Sequence, residues 1–117
     1  MDAHDFVTFS LRREITFASP RPPQDVLDDF LATLLRGLRE AGCAMVGHIK
    51  GMVESEAQKP LFFSLTSLDS APRYRGGPLR PGSFSVLSMN IILAGVDKAA
   101  AAEICEDAAA GSFHAQS

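Results

Sequence analysis

Alternation constrains this chain more than any other feature. The run Cys43-Ala44-Met45-Val46-Gly47-His48-Ile49-Lys50-Gly51-Met52-Val53 changes character residue by residue, and a period of two is the geometry of a strand. It sorts Met45, Gly47, Ile49, Gly51 and Val53 onto one side of a sheet and Val46, His48 and Lys50 onto the other. Two later runs repeat the arrangement: Ser64 and Thr66 alternate with Phe63 and Leu65, and Ser88 and Asn90 alternate with Leu87, Met89 and Ile91. Three such strands side by side bring His48, Lys50, Ser64, Thr66, Ser88 and Asn90 onto one surface.

The rest of the chain supplies the frame. Phe6 to Ala18 alternates as a half-buried strand, with Val7, Phe9, Leu11, Arg13, Ile15 and Phe17 on one side and Thr8, Ser10, Arg12, Glu14 and Thr16 on the other. Arg13 interrupts the apolar row, which calls for a bulge or a kink there. Ser19-Pro20-Arg21-Pro22-Pro23 ends sheet pairing and leads into a helix, because proline lacks an N–H and suits the first helical turn. From Asp25 to Ala41, Leu27, Phe30, Leu31, Leu34, Leu35 and Leu38 recur at three- and four-residue spacing, with Asp25, Asp28 and Asp29 near the positive end of the dipole and Arg36 and Arg39 near the negative end. Gly42 stops this helix.

Strands then follow over Cys43–Glu54 and Leu61–Leu68, joined by the hairpin-length connector Ser55–Pro60, and a last strand runs from Phe84 to Ala94. Between them, Asp69 to Ser83 is rich in turn residues and reads as a mobile loop over 70–83. Asp97 is placed to cap a second helix, Lys98 to Ala110, with Gly111 as its stop and Ala99, Ala102, Ile104, Cys105 and Ala108 as its buried face. Such an alanine-rich face can approach a sheet closely, matching Gly47 and Gly51 on the inner side of the Cys43–Glu54 strand. Ser112 to Ser117 reads as a frayed tail.

These readings give one α+β domain over residues 1–117: a two-layer fold in which a four-stranded mixed or antiparallel sheet carries two helices on one face. Its order, β-α-β-β-β-α, resembles the ferredoxin-like family of two-layer α+β domains without the final strand, and the likeness is one of element order. Both helices on one side leave the His48 side of the sheet without cover.

Composition narrows the function classes. Of 117 residues, 46% are hydrophobic, enough for one packed core. Eleven basic against fourteen acidic residues give a net charge of −3, so no overall field gathers polyanions, and the RNP-type run of an RNA-binding sheet is missing. Nucleic acid is therefore not expected as a partner. Nor is a membrane: no apolar run reaches the roughly 20 residues needed to span one. Met1-Asp2-Ala3-His4-Asp5 is acidic where a signal peptide is basic, and Cys43 and Cys105 form no closely spaced pair. A soluble, cytoplasmic protein with reduced cysteines is the expectation. His4, His48 and His114 are scattered singly, so no metal site and no cofactor are expected.

The uncovered face carries the functional expectation. Val46, Met52, Phe62, Val86 and Ile92 share its parity, and such a mixed surface is poorly suited to permanent contact with water, which points to cover by a second copy or by a ligand. His48 and Lys50 leave the same face about 7 Å apart along the strand, and a neighbouring ammonium favours a neutral, basic imidazole. Arg73, Arg75 and Arg80, with Gly76 and Gly77, have the chemistry to wrap an anion, since guanidinium forks bind phosphate or carboxylate. The reading is a self-associating domain that binds a small anionic ligand or a partner at His48, Lys50, Ser64, Thr66, Arg73, Arg75, Arg80, Ser88 and Asn90. Its rivals are an acid/base isomerase or lyase, with His48 and Lys50 catalytic and Asn90 or Lys50 holding an oxyanion, and a purely structural oligomer subunit.

Overall fold

The first helix shows how local chemistry sets the elements. In the computed structural model, which describes residues 5–17, 20–82 and 84–115, α1 (Pro23–Glu40) begins with proline at its first turn and buries Val26, Leu27, Phe30, Leu31, Leu34 and Leu38. It ends in a Schellman motif. Gly42, at φ 89°, donates its N–H to the Arg39 carbonyl, and Cys43 donates to the Leu38 carbonyl. The second helix, α2 (Lys98–Ser112), is capped by Asp97, whose carboxylate accepts from the Ala100 N–H at 3.1 Å. It runs past Gly111, and its buried face is Ala101, Cys105, Ala108 and Ala109 rather than the expected set: Ala99 is exposed and Ala102 and Ile104 are half-buried.

Among the described residues, six strands form one antiparallel sheet: β1 (Phe6–Thr16), β2 (Met45–Ser55), β3 (Leu61–Leu65), β4 (Arg73–Gly76), β5 (Phe84–Ala94) and β6 (His114–Ala115), in the order β4-β3-β2-β5-β1-β6. The α+β class agrees with the alternation; the four-strand count does not. Two short strands extend the sheet, so the element order becomes β-α-β-β-β-β-α-β instead of the expected β-α-β-β-β-α. β5 lies between β1 and β2 and is antiparallel to both, which makes β1-α1-β2 a crossover whose two strands run parallel with β5 inserted between them.

Leu11 and Ile15 of β1, Ile49 and Val53 of β2, Leu61, Phe63 and Leu65 of β3, and Leu87, Met89, Ile91 and Leu93 of β5 share one core with the buried faces of both helices. The helices also touch one another: a Cβ added at Gly37 would lie 2.8 Å from Ile104 Cγ2. One face of the sheet is thus packed, and along the other Thr8, Ser10, Arg12, Glu14, Lys50 and Asn90 are exposed.

Several expectations need correction. β1 pairs with β5 in unbroken register, so Arg13 makes no bulge; its guanidinium turns to Glu106 on α2 and forms an ion pair there. The bulge is in β2, between Val46 and His48, where Gly47 has no partner on β5. It reverses the parity before it: Val46, expected outside, is buried, and Met45, expected inside, is half exposed. Neither glycine of β2 receives the alanine helix. A Cβ at Gly47 would meet Ile92 at 2.9 Å and one at Gly51 would meet the Phe63 ring.

Within the segment read as a loop, Arg73–Gly76 pairs with β3, and Leu79 is buried. The tail also departs from its reading, because Phe113 is buried and stacks edge-on against Phe17 with ring centroids 5.7 Å apart. His4, Ala18, Ser19, Ser83 and the last two residues of the expected tail lie outside the described residues. No helix among the described residues is long and apolar enough to cross a membrane.

Candidate functional site

Register builds the site. Across the open face, β4 Arg73 stands opposite β3 Ser64, Ser64 opposite β2 Lys50, Lys50 opposite β5 Asn90, and Asn90 opposite β1 Ser10. Five side chains from five adjacent strands therefore form one row perpendicular to the strands. The next row reads Arg75, Phe62, Met52, Ser88 and Arg12 in the same strand order. A third holds Glu54, Val86 and Glu14. On the opposite side of the first row come His48, Ile92 and Thr8.

Two open depressions occupy the first two rows. One, of about 540 Å³, is lined by Lys50, Phe62, Ser64, Arg73 and Arg75, with Gly51, Phe63 and Tyr74 beneath. The other, of about 410 Å³, is lined by Lys50, Phe62, Arg12, Ser88, Asn90 and Ser10, among others. Both include Lys50, Gly51 and Phe62. The Arg75 guanidinium lies 5.1 Å from the centroid of the Phe62 ring, a cation–π contact that holds it over the first depression. Ser10 donates its hydroxyl hydrogen to Asn90 Oδ1 at 2.8 Å. With that oxygen engaged, the amide N–H groups of Asn90 are presented on the other side of the group.

The electrostatics run against the whole-chain balance. Rows one and two carry Arg12, Lys50, Arg73 and Arg75 and no carboxylate, although the net charge is −3. Arg13, Arg21 and Arg39 are paired with Glu106, Asp29 and Asp69, away from this face. Among the described residues no ion pair joins Arg12, Lys50, Arg73 or Arg75 to an acid.

β4 is fastened from behind. Tyr74 points to the helix side and donates its phenol hydrogen to Asp28 of α1 at 2.5 Å. Burial, then that hydrogen bond and the negative charges of Asp28 and Asp25, hold the phenol well above the usual tyrosine range. The strand carrying Arg73 and Arg75 is tied to the helix layer by this contact.

The expected residues fall into two groups. Lys50, Ser64, Arg73, Arg75, Ser88 and Asn90 come together over the two depressions. His48 is on the same face, half-buried beside Ile92, and lines neither depression. Thr66 is exposed just beyond the end of β3, and Arg80 lies past the cis Gly77–Pro78 bond, where its backbone N–H donates to Gln58 Oε1. Ser10, Arg12 and Phe62 were not among the expected site residues. Alternation already turned Ser10 and Arg12 outward; what it lacked was the neighbour relation between β1 and β5. Among the described residues no group of His, Cys, Asp or Glu is placed to hold a metal ion.

No family model, curated protein or solved structure matches this chain.

Proposed function

We propose that the open face of the sheet is a binding surface for a small anionic ligand, held chiefly by Lys50, Arg73 and Arg75 with Ser64 and Asn90 as hydrogen-bonding groups. One observation carries this reading: among the described residues, strand register gathers cations without a carboxylate partner over open depressions, in a chain whose net charge is −3. Guanidinium and ammonium groups so gathered repel one another, and an anion relieves that repulsion while gaining charge-assisted hydrogen bonds. The test is a thermal-shift series with inorganic phosphate and pyrophosphate. Saturation at a hundred times the dissociation constant adds about 2.7 kcal/mol of stability. The shift is expected to shrink with added salt and to be lost in Lys50→Ala and Arg73→Ala. No shift with either anion, or one unchanged in both variants, overturns the proposal.

Self-association through the same face is a second reading. Half-buried Phe62, Met52, Val86 and Ile92 and half-exposed Phe84 favour it, because together they leave apolar surface in water. Light scattering on a size-exclusion column decides it, and a monomer at high micromolar concentration overturns it. An isomerase or lyase mechanism has less support, since His48 lines neither depression.

A further inference from the structure

We infer that the two depressions form one trough and that its ligand is an elongated dianion: an organic molecule with a phosphoryl or carboxyl group at each end and an apolar or aromatic middle. This rests on the anion-binding reading and adds the ligand's shape.

Three observations carry it. First, the depressions share Lys50, Gly51 and Phe62, so no other residue separates them on β2 or β3. Second, each end has its own cation. Arg73 and Arg75 serve the β4 end and Arg12 the β1 end, with Lys50 between them. The first depression spans β4 to β2 and is centred on β3; the second reaches from Phe62 on β3 to β1 and is centred between β2 and β5. The centres of the two are one and a half strand spacings apart, about 7 Å at the usual ~4.8 Å spacing, and the end strands β4 and β1 are four spacings apart, about 19 Å, so anions drawn toward the two ends sit between these limits. Third, apart from Lys50 the surface between the ends is uncharged. It consists of the Phe62 ring, Met52 and the Gly51 backbone, a surface that suits an apolar or planar body.

The orientation follows from the neighbouring rows. Glu54 and Glu14 stand one row beyond Met52 and Arg12, so an anion extended along the strands in that direction meets carboxylates. His48, Ile92 and Thr8 on the other side offer no arginine or lysine. Only the direction across the strands, from Arg73 to Arg12, presents a cation on every second strand: β4, β2 and β1. A ligand with a single anionic group would leave one end of that line unneutralised. A dianion of matching length engages both, and its second group binds as an intramolecular event at high effective concentration.

The experiment is isothermal titration calorimetry with a length series of alkane-α,ω-bisphosphonates, each against the alkyl monophosphonate of the same length. Affinity should pass through a maximum at an intermediate length, with the phosphonates more than about 7 Å and less than about 19 Å apart. At that length the bisphosphonate should bind at least about tenfold more tightly than its monophosphonate. Arg12→Ala and Arg73→Ala should each reduce it to the monophosphonate level, with Arg12→Lys and Arg73→Lys recovering part of the difference. Both positions are exposed, and unchanged thermal unfolding of the unliganded variants establishes that their folds are intact. Equal binding of mono- and bisphosphonates with no length optimum overturns the trough and leaves a single-anion site. Binding of neither removes the anion-binding reading as well. Tighter binding of an oligothymidylate than of any bisphosphonate also overturns the small dianion, in favour of a polymer.

Discussion

Gly51→Ala tests how the floor of the open face is supported. A Cβ at Gly51 would lie 2.1, 2.5 and 2.7 Å from Cζ, Cε1 and Cε2 of Phe63, the residue opposite it on β3. These are atoms of a ring only 3% exposed in the core, so it cannot give way by swinging a flexible end into water. Overpacking of this kind costs about 1–3 kcal/mol. The lower entropy of an alanine chain in the unfolded state offsets about 0.5–1 kcal/mol of that. A net loss of about 1–2 kcal/mol is expected, or roughly 4–8 °C in Tm for a chain of this size. Equilibrium urea unfolding followed by circular dichroism measures it. Phe63→Leu supplies the second arm of a double-mutant cycle, because removing the ring costs stability in the native background but relieves the clash in Gly51→Ala. The coupling should be at least about 1 kcal/mol in favour of the double variant. Gly51→Ala as stable as the native chain, or effects additive within about 0.5 kcal/mol, would refute the reasoning.

Gly95→Ala should cost more than Gly42→Ala. Both residues have positive φ, 84° and 89°, but a Cβ at Gly95 would meet the Ala44 Cβ and N at 2.6 and 2.7 Å, while one at Gly42 meets nothing within 4 Å. About 1 kcal/mol for the left-handed conformation is expected at Gly42 and at least about 2 kcal/mol at Gly95; chemical denaturation of both variants gives the order, and the reverse order would sink the argument. Stability should fall as the solution becomes strongly alkaline. Burial pushes the Cys105 thiol up to about 12, so above the ordinary thiol value the unfolded chain releases a proton that the folded chain retains. That contribution is fully present below the unfolded value and is lost as pH rises toward the folded one, by up to about 1.4 kcal/mol per pH unit. Tyr74 is raised as well and acts in the same direction. Unfolding free energies from about pH 8 to about pH 11 should decline, less steeply in Cys105→Ala, and a flat profile in the native chain would contradict the burial argument.

What alternation and helical periodicity could convey, the structure repeats. α1 was legible because its leucines, its prolines and Gly42 all state the same boundaries, and it begins two residues early only because Pro23 itself occupies the first turn. Asp97 announced α2 for the same local reason. The exchange of Met45 and Val46 was not legible, because one unpaired residue at Gly47 shifts the parity of everything before it and leaves no mark in composition. β4 was hidden differently. Arg73-Tyr74-Arg75-Gly76 has little to bury, and its strand character comes from the free edge of β3 and the Tyr74–Asp28 hydrogen bond, both tertiary. The site was half legible. Parity alone turned Lys50, Ser64, Ser88 and Asn90 to one side, but it is silent on which strands are neighbours, so Ser10 and Arg12 could not be joined to them.

The two readings of the open face are not independent. Stacking this sheet on a second copy would bury its apolar residues, Phe62, Met52, Val86 and Ile92, at about 25 cal/mol per Å². It would also bury Arg12, Lys50, Arg73 and Arg75 near their counterparts. A charge buried without a partner costs several kcal/mol, and two like-charged rows facing each other add repulsion. Glu14 and Glu54, a row away, can answer part of this in an offset stack, bringing the Arg12 row of one copy onto the Glu14 row of the other. Arg73 and Arg75 gain no such relief, because β3 and β4 contribute no acid to the third row. An anion in the β4-side depression changes the balance by neutralising those cations before the apolar surface closes over them. The two proposals together therefore predict that self-association through this face is linked to occupancy of the trough, so light scattering should show it to increase when a bisphosphonate is added, and association that is indifferent to the anion would break the link.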